Sequence, residues 1–210
     1  MNKRFDQIWN DFFRFRRKVF FEKLCNKLSK PIEILDVGGT INFWENSNLL
    51  SQKTSVTVLN IVEQRPSIKV KVVIGDACNL CFKDKSFDIV FSNSVLGHVG
   101  DWRQQKKMAD EIRRVGCRYF VQTPNQDFFI DWRTLMPFFH WLSPTIQAWC
   151  LQRFSVGLYR RTSSKDEAMI LATRIRNVTR KELQEFFPGG EIINERVLFF
   201  TKSFMVYDGF

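Results

Sequence analysis

From Pro31 onward, short apolar runs alternate with helix-patterned or turn-rich stretches, a rhythm that predicts a parallel sheet covered on both faces. The runs are Ile32–Val37, Ser55–Ile61, Ile68–Ile74, Phe87–Ser92 and Arg118–Gln122. Lys69 and Lys71 put the third run near a sheet edge, while Phe87-Asp88-Ile89-Val90-Phe91 reads as a buried centre. A helix is predicted over Trp102–Val115, with Met108, Ile112 and Val115 as its apolar stripe. Near the end, Thr179-Arg180-Lys181-Glu182 is a capping box flanked by Val178 and Leu183, and Pro188-Gly189-Gly190 stops its helix. Two runs, Ile192–Phe200 and Ser203–Tyr207, follow with no helix between them and predict an antiparallel hairpin.

Two segments stand outside this rhythm. Phe5, Ile8, Trp9, Phe12, Val19 and Phe20 recur at helical spacing with Arg14, Arg17 and Lys18 interleaved, predicting a first helix across the sheet edge or over the site. Residues 124–177 are too long for a simple connection. They hold Phe128, Phe129, Trp132, Phe138, Phe139, Trp141 and Trp149 and read as a partly helical lid or substrate-recognition insertion. The 210 residues thus form one domain: a helix over 1–30, a first half over 31–123, the insertion over 124–177, and a closing helix and hairpin over 178–210.

Composition adds two points. Twenty-two Phe and six Trp against three Tyr mean many rings without a polar end; most are expected in the core and those between 128 and 149 in a cleft. The net charge of +10 suits nucleic acid, phosphorylated sugars or an acidic membrane face without choosing among them. Five scattered cysteines and a charged, ring-rich start predict reduced thiols in the cytoplasm. Cys78 and Cys81 have no companion pair and there are two histidines, so no metal site is expected. Pro137, His140, Pro144 and Gln147 interrupt the longest apolar stretch, which predicts no transmembrane segment and leaves peripheral membrane contact open.

In such a sheet a nucleotide-bearing cofactor sits beyond the carboxyl ends of the strands. The first end is Asp36-Val37-Gly38-Gly39-Thr40, where glycines let a ligand approach the backbone and Asp36 can accept from a cationic amine. The second offers Asn60 or Glu63 to a ribose diol. Gly75-Asp76-Ala77 ends the third, and Ser92-Asn93 the fourth. In order and spacing, these residues with Ser86 to Val99 resemble class I, S-adenosylmethionine-dependent methyltransferases of the type 11-like group, over about residues 31–125. The resemblance implies an α/β, Rossmann-like fold: a mostly parallel seven-stranded sheet, a C-terminal antiparallel hairpin and an aromatic-rich lid insertion. It also implies S-adenosyl-L-methionine as cofactor, held by Asp36, Gly38, Gly39, Thr40, Asn60 or Glu63, Asp76 at the adenine amino group, Ala77, Ser92 and Asn93. Thr40 and Asn42 stand where the family has its next two glycines, and Asn60 where it has an acid.

Val121-Gln122-Thr123-Pro124-Asn125, Phe128-Phe129-Ile130-Asp131 and Pro137–Leu142 are similar to methyltransferases found with polysaccharide-building glycosyltransferases. Asp131-Trp132-Arg133 replaces the Pro-Ile-Glu-Pro-His of those proteins. That resemblance implies methyl transfer to a sugar hydroxyl of a glycan, with a glycosyltransferase as partner or fusion. A hydroxyl needs a base: His98 comes first, then Asp131 and His140, with Asp101 to orient His98. Other readings are an RNA methyltransferase, disfavoured because Ser92-Asn93-Ser94-Val95 lacks the Asn/Asp-Pro-Pro-aromatic motif, a lipid or quinone methyltransferase, and a non-catalytic binding module.

Overall fold

The computed structural model describes residues 5–29, 31–45, 47–51, 54–65 and 67–210; the side chains of residues 5–11 and 51, among them Phe5, Ile8 and Trp9, lie outside the described residues. Seven strands form one sheet: β1 (Ile32–Val37), β2 (Thr54–Asn60), β3 (Val70–Ile74), β4 (Phe87–Asn93), β5 (Gly116–Pro124), β6 (Glu191–Val197) and β7 (Phe200–Asp208). Their order is β3-β2-β1-β4-β5-β7-β6. The first five are parallel, and β7 runs antiparallel to both β5 and β6. This is the mostly parallel seven-stranded sheet with a C-terminal antiparallel hairpin that the resemblance implied, with the lysine-bearing third run at its edge.

The period of two in β1 divides the core. Ile32 and Ile34 join Phe21 and Leu24 of α1 (Phe5–Cys25) on one face, together with Trp44 of α2 (Ile41–Glu45). Leu35 and Val37 join Met108 and Ile112 of α3 (Trp102–Val115) and Leu183 and Phe186 of α6 (Arg180–Phe186) on the other. On the α1 face Phe21, Phe91 and Phe120 form a ring column, with centroids 4.6 Å and 5.6 Å apart and the last pair stacked at 7°. The first helix therefore lies across a sheet face rather than an edge. The buried Arg17 Nε donates to Glu195 of β6 at 2.8 Å, pinning its middle to the far side of the sheet.

Two local expectations fail for identifiable reasons. The hairpin turns at Leu198–Phe199, between the paired Val197 and Phe200, instead of at residues 201–202. Val197-Leu198-Phe199-Phe200 is an unbroken apolar run with no turn residue, so pattern alone extends the strand through it. The second concerns the rings of the insertion. Here α4 (Pro144–Arg153), capped by Ser143 with Pro at its first position, packs on α5 (Lys165–Thr173), capped by Ser164. Ala148, Ala168 and Ala172 let the helices meet around Phe139 and Leu151, a small separate core. Such close packing leaves Phe138, Trp141 and Trp149 outside, half exposed, whereas Trp132 lines the cavities at the sheet's carboxyl edge. Among the described residues no helix is long and apolar enough to cross a membrane.

Candidate active site at the carboxyl ends of the strands

Two adjoining cavities open at the carboxyl edge of the sheet. The larger, about 550 Å³, is walled by Gly38, Leu59, Asn60, Ile61, Gly75, Asp76, Ala77, Asn93, Val95 and His98. The smaller, about 210 Å³, lies toward β5 and β7 and is walled by Gln122, Asn125, Ile130, Asp131, Asn177 and Lys202. Arg14, Ser94 and Trp132 line both. Shared walls make the pair one bipartite site, of a size suited to a nucleoside-bearing ligand beside a small acceptor.

The turn after β1 is built for backbone approach. Gly38 has φ +78°, and a Cβ there would fall 2.5 Å from Val95 Cγ2. Its N–H donates to Leu59 O at 2.7 Å. The amides of Asn60 and Gln64 each donate to Gly39 O at 2.9 Å, clamping the turn against β2. Gln64 drew no notice in the sequence because no motif marks a clamp.

Several expected contacts stand elsewhere. Asp36 shares the parity of Ile34, so it points beneath α2, where Trp44 Nε1 donates to its Oδ2 at 2.6 Å. A Cβ on Gly39 would overlap that carboxylate, which places Asp36 behind the turn and off the cleft wall. Its Oδ1 has no hydrogen-bond partner among the described residues. Burial pushes its carboxyl up to about 7, against the opposing pull of the Trp44 bond and the Arg14 charge. Thr40 and Glu63 are exposed outside the cleft. Ser92 is buried and donates to Val37 O at 3.1 Å, bracing β4 against β1. Asn60 is in the cleft, but its Oδ1 accepts from Val62 N–H, so its amide serves the backbone at both ends. Asp76 lines the cleft with Oδ1 accepting from Cys78 N–H at 2.9 Å, and Ala77 and Asn93 line it as expected.

The candidate bases separate in the same way. His98 lines the cleft, its ring edge-on to Trp132 with centroids 5.9 Å apart. Burial and then the Arg133 charge hold its imidazole below the usual range, outweighing Asp131. Asp131 reaches the smaller cavity, yet its oxygens accept from Arg133 Nη2 at 2.6 Å, Arg133 Nε at 2.9 Å and Asn177 Nδ2 at 2.7 Å. Burial raises its carboxyl, but the Arg133 and Asn177 bonds prevail and hold it below the usual range, the wrong direction for a base. His140 is buried with Nε2 3.0 Å from Gln126 O, and it lines neither cavity. Asp101 caps α3 by accepting from Gln104 N–H at 3.0 Å rather than orienting His98.

Ser94 and Arg14 are the residues that sequence reasoning missed. Ser94 has φ +61°, a conformation that non-glycine residues adopt at a cost. Its N–H and Oγ–H both donate to Gln122, at 3.0 Å and 2.5 Å, fixing the wall common to the two cavities. Nothing in the local sequence announces that strain. Arg14 was visible only as one cation of an amphipathic helix.

Comparison with known proteins agrees with this geometry. Residues 46–118 match a family model described as a methyltransferase domain. The chain is similar in structure to a SAM-dependent methyltransferase of Methanosarcina mazei, at 19% identity over 88% of this chain and 94% of that one, with a TM-score of 0.53. It is similar also to magnesium protoporphyrin IX methyltransferase of Synechocystis PCC 6803, solved with bound SAH, at 11% identity over 99% and 88% of the two chains and a TM-score of 0.58. No curated protein sequence matches. Residues 46–118 are thus similar to a methyltransferase domain, and the fold is the one shared with these methyltransferases. The cleft offers features suited to S-adenosylmethionine: a glycine turn whose space a Cβ would fill, and Asp76 lining the cavity together with Leu59 and Ile61.

Proposed function

We propose that this methyltransferase methylates a sugar hydroxyl of a glycan or glycoconjugate, with His98 as general base. The observation that carries the reading is the wall of Ser94 and Trp132 common to both cavities, with His98 against Trp132 on the cofactor side. Bound S-adenosylmethionine supplies a methyl carbon already activated by its sulfonium charge. The protein therefore has to align a nucleophile, remove its proton and exclude water.

Trp132 offers a flat face to a sugar ring, and Gln122 and Asn125 offer amides to its hydroxyls. Arg14 and Lys202 add positive charge suited to an acidic or phosphorylated sugar. His98, kept neutral by its surroundings, accepts the hydroxyl proton on a ring nitrogen. The same reading has the protein work in the cytoplasm beside the glycosyltransferases that build the acceptor.

Calorimetry with S-adenosylhomocysteine, followed by methyl transfer to a panel of neutral, acidic and phosphorylated sugars, tests the proposal. His98→Gln is expected to lower kcat by about 10²- to 10⁴-fold while leaving S-adenosylhomocysteine affinity intact. Because the base must be neutral and its pKa is depressed, the rate should climb through a pH below the ordinary imidazole value and be level at neutrality. Transfer to lipids or RNA with none to sugars would overturn the acceptor reading, and an equal loss of cofactor affinity would make His98 a wall residue.

A further inference from the structure

We propose that the face formed by the β6–β7 turn and the aromatic side of the insertion docks on an anionic lipid surface. The turn has two residues, and its first position suits glycine or asparagine because φ there is positive. Leu198 occupies it at φ +53°, 84% exposed, and Phe199 beside it is 93% exposed. Phe138 repeats the combination, at φ +62° and 52% exposed. In both places a backbone geometry costly for a large side chain holds that side chain at the surface, Leu198 almost wholly in water and Phe138 half exposed.

These residues belong to one surface. Phe200 packs on Phe129 at 5.4 Å, Phe129 on Phe138 at 6.3 Å, and Phe138 on Trp141 at 5.0 Å. On α4, exposed Ile146, Trp149 and Arg153 fall at helical spacing, with the Arg153 guanidinium 4.2 Å over the Trp149 ring. The charge on these segments is net positive. Within residues 124–164 Arg133 and Asp131 neutralise each other in a buried pair, leaving the exposed Arg153, Arg160 and Arg161 against the exposed Asp127. Residues 196–202 carry Arg196 and Lys202 with no acid. Rings and aliphatic tips flanked by cations match the boundary of a bilayer with acidic headgroups, where rings sit at headgroup depth and cations meet phosphates.

The placement has a consequence for access. Ile130 and Lys202, next to Phe129 and two residues beyond Phe200, line the smaller cavity, so a docked surface would lie at the acceptor's entrance. Docking does not depend on which acceptor the protein takes.

The test is sedimentation of the full chain with vesicles of phosphatidylcholine alone and of phosphatidylserine with phosphatidylcholine in roughly a one-to-three ratio. Binding is expected to the mixed vesicles and to weaken steeply with salt. The double variant Leu198→Asn with Phe199→Gly installs a favoured hairpin turn while deleting the apolar tip. It should therefore melt at or above the temperature of the parent while losing vesicle affinity by about tenfold or more. Absence of binding, or binding that this variant leaves unchanged, overturns the proposal. So does a concentration-dependent dimer that the same variant disperses, since a second copy would then cover the face. Calorimetry with S-adenosylhomocysteine on both proteins keeps a docking result separate from any change in the cofactor site.

Discussion

The cofactor half and the acceptor half of the site use polar residues in opposite ways. Around β1 to β4 the binding surface is largely backbone and small side chains, with a glycine turn clamped by the Asn60 and Gln64 amides and an acid at the cleft wall. Around β5 to β7 and the insertion, buried carboxylates are taken up by nearby partners: Asp131 by Arg133 and Asn177, Glu195 by Arg17 and Ser203. A side chain lining a cavity has chemistry to offer only when bonding capacity remains after its structural bonds are made. By that measure His98, the first candidate in sequence, is available, and Asp131, the next, is not.

Asp131→Ala should show the largest effect on stability. It leaves the buried Arg133 guanidinium without its counter-ion and is expected to cost about 3–5 kcal/mol in denaturant unfolding. A variant that unfolds normally yet loses turnover would reverse the comparison and return Asp131 to catalysis.

Asp36 sharpens the cofactor side. Its folded pKa stands at about 7 against 3.8, so the stability it contributes in acid is lost as pH rises through about 7, on the order of 4 kcal/mol in all. Asp36→Asn keeps an acceptor for Trp44 Nε1 and removes the charge. It should gain about 2–4 kcal/mol near pH 8 and little near pH 4, read from thermal melts of the cofactor-free chain. A simultaneous loss of S-adenosylhomocysteine affinity would mean that the buried carboxylate is retained for the cofactor.

Asp101→Ala is the smallest change. Loss of the α3 cap should cost about 1 kcal/mol and leave the acidic limb of the pH–rate profile in place. A shifted limb would show that Asp101 orients His98 after all.

How much was legible in the sequence follows the same division. Strand positions, the edge placement of the third run, the Trp102–Val115 helix and the Thr179–Glu182 capping box were readable because each rests on local periodicity or a local hydrogen bond. Gly38, Asp76, Ala77, Asn93 and His98 were readable as cleft residues because strand ends converge in this fold. The turn at Leu198–Phe199 was not, since its residues carry strand propensity and no turn chemistry. Nor was the short helix α2, whose Trp44 takes the Asp36 carboxylate.

The succession of short apolar runs and helix-patterned stretches by itself determined the layered α/β sheet, because each run or stripe is local and selects its face without reference to any distant residue. Only the tertiary structure decided what each polar candidate does there. That depends on partners far along the chain: Asn177 for Asp131, Glu195 for Arg17, Gln122 for Ser94. A hydrogen bond across the fold uses up a side chain's remaining valence, and no local pattern records that it has been used.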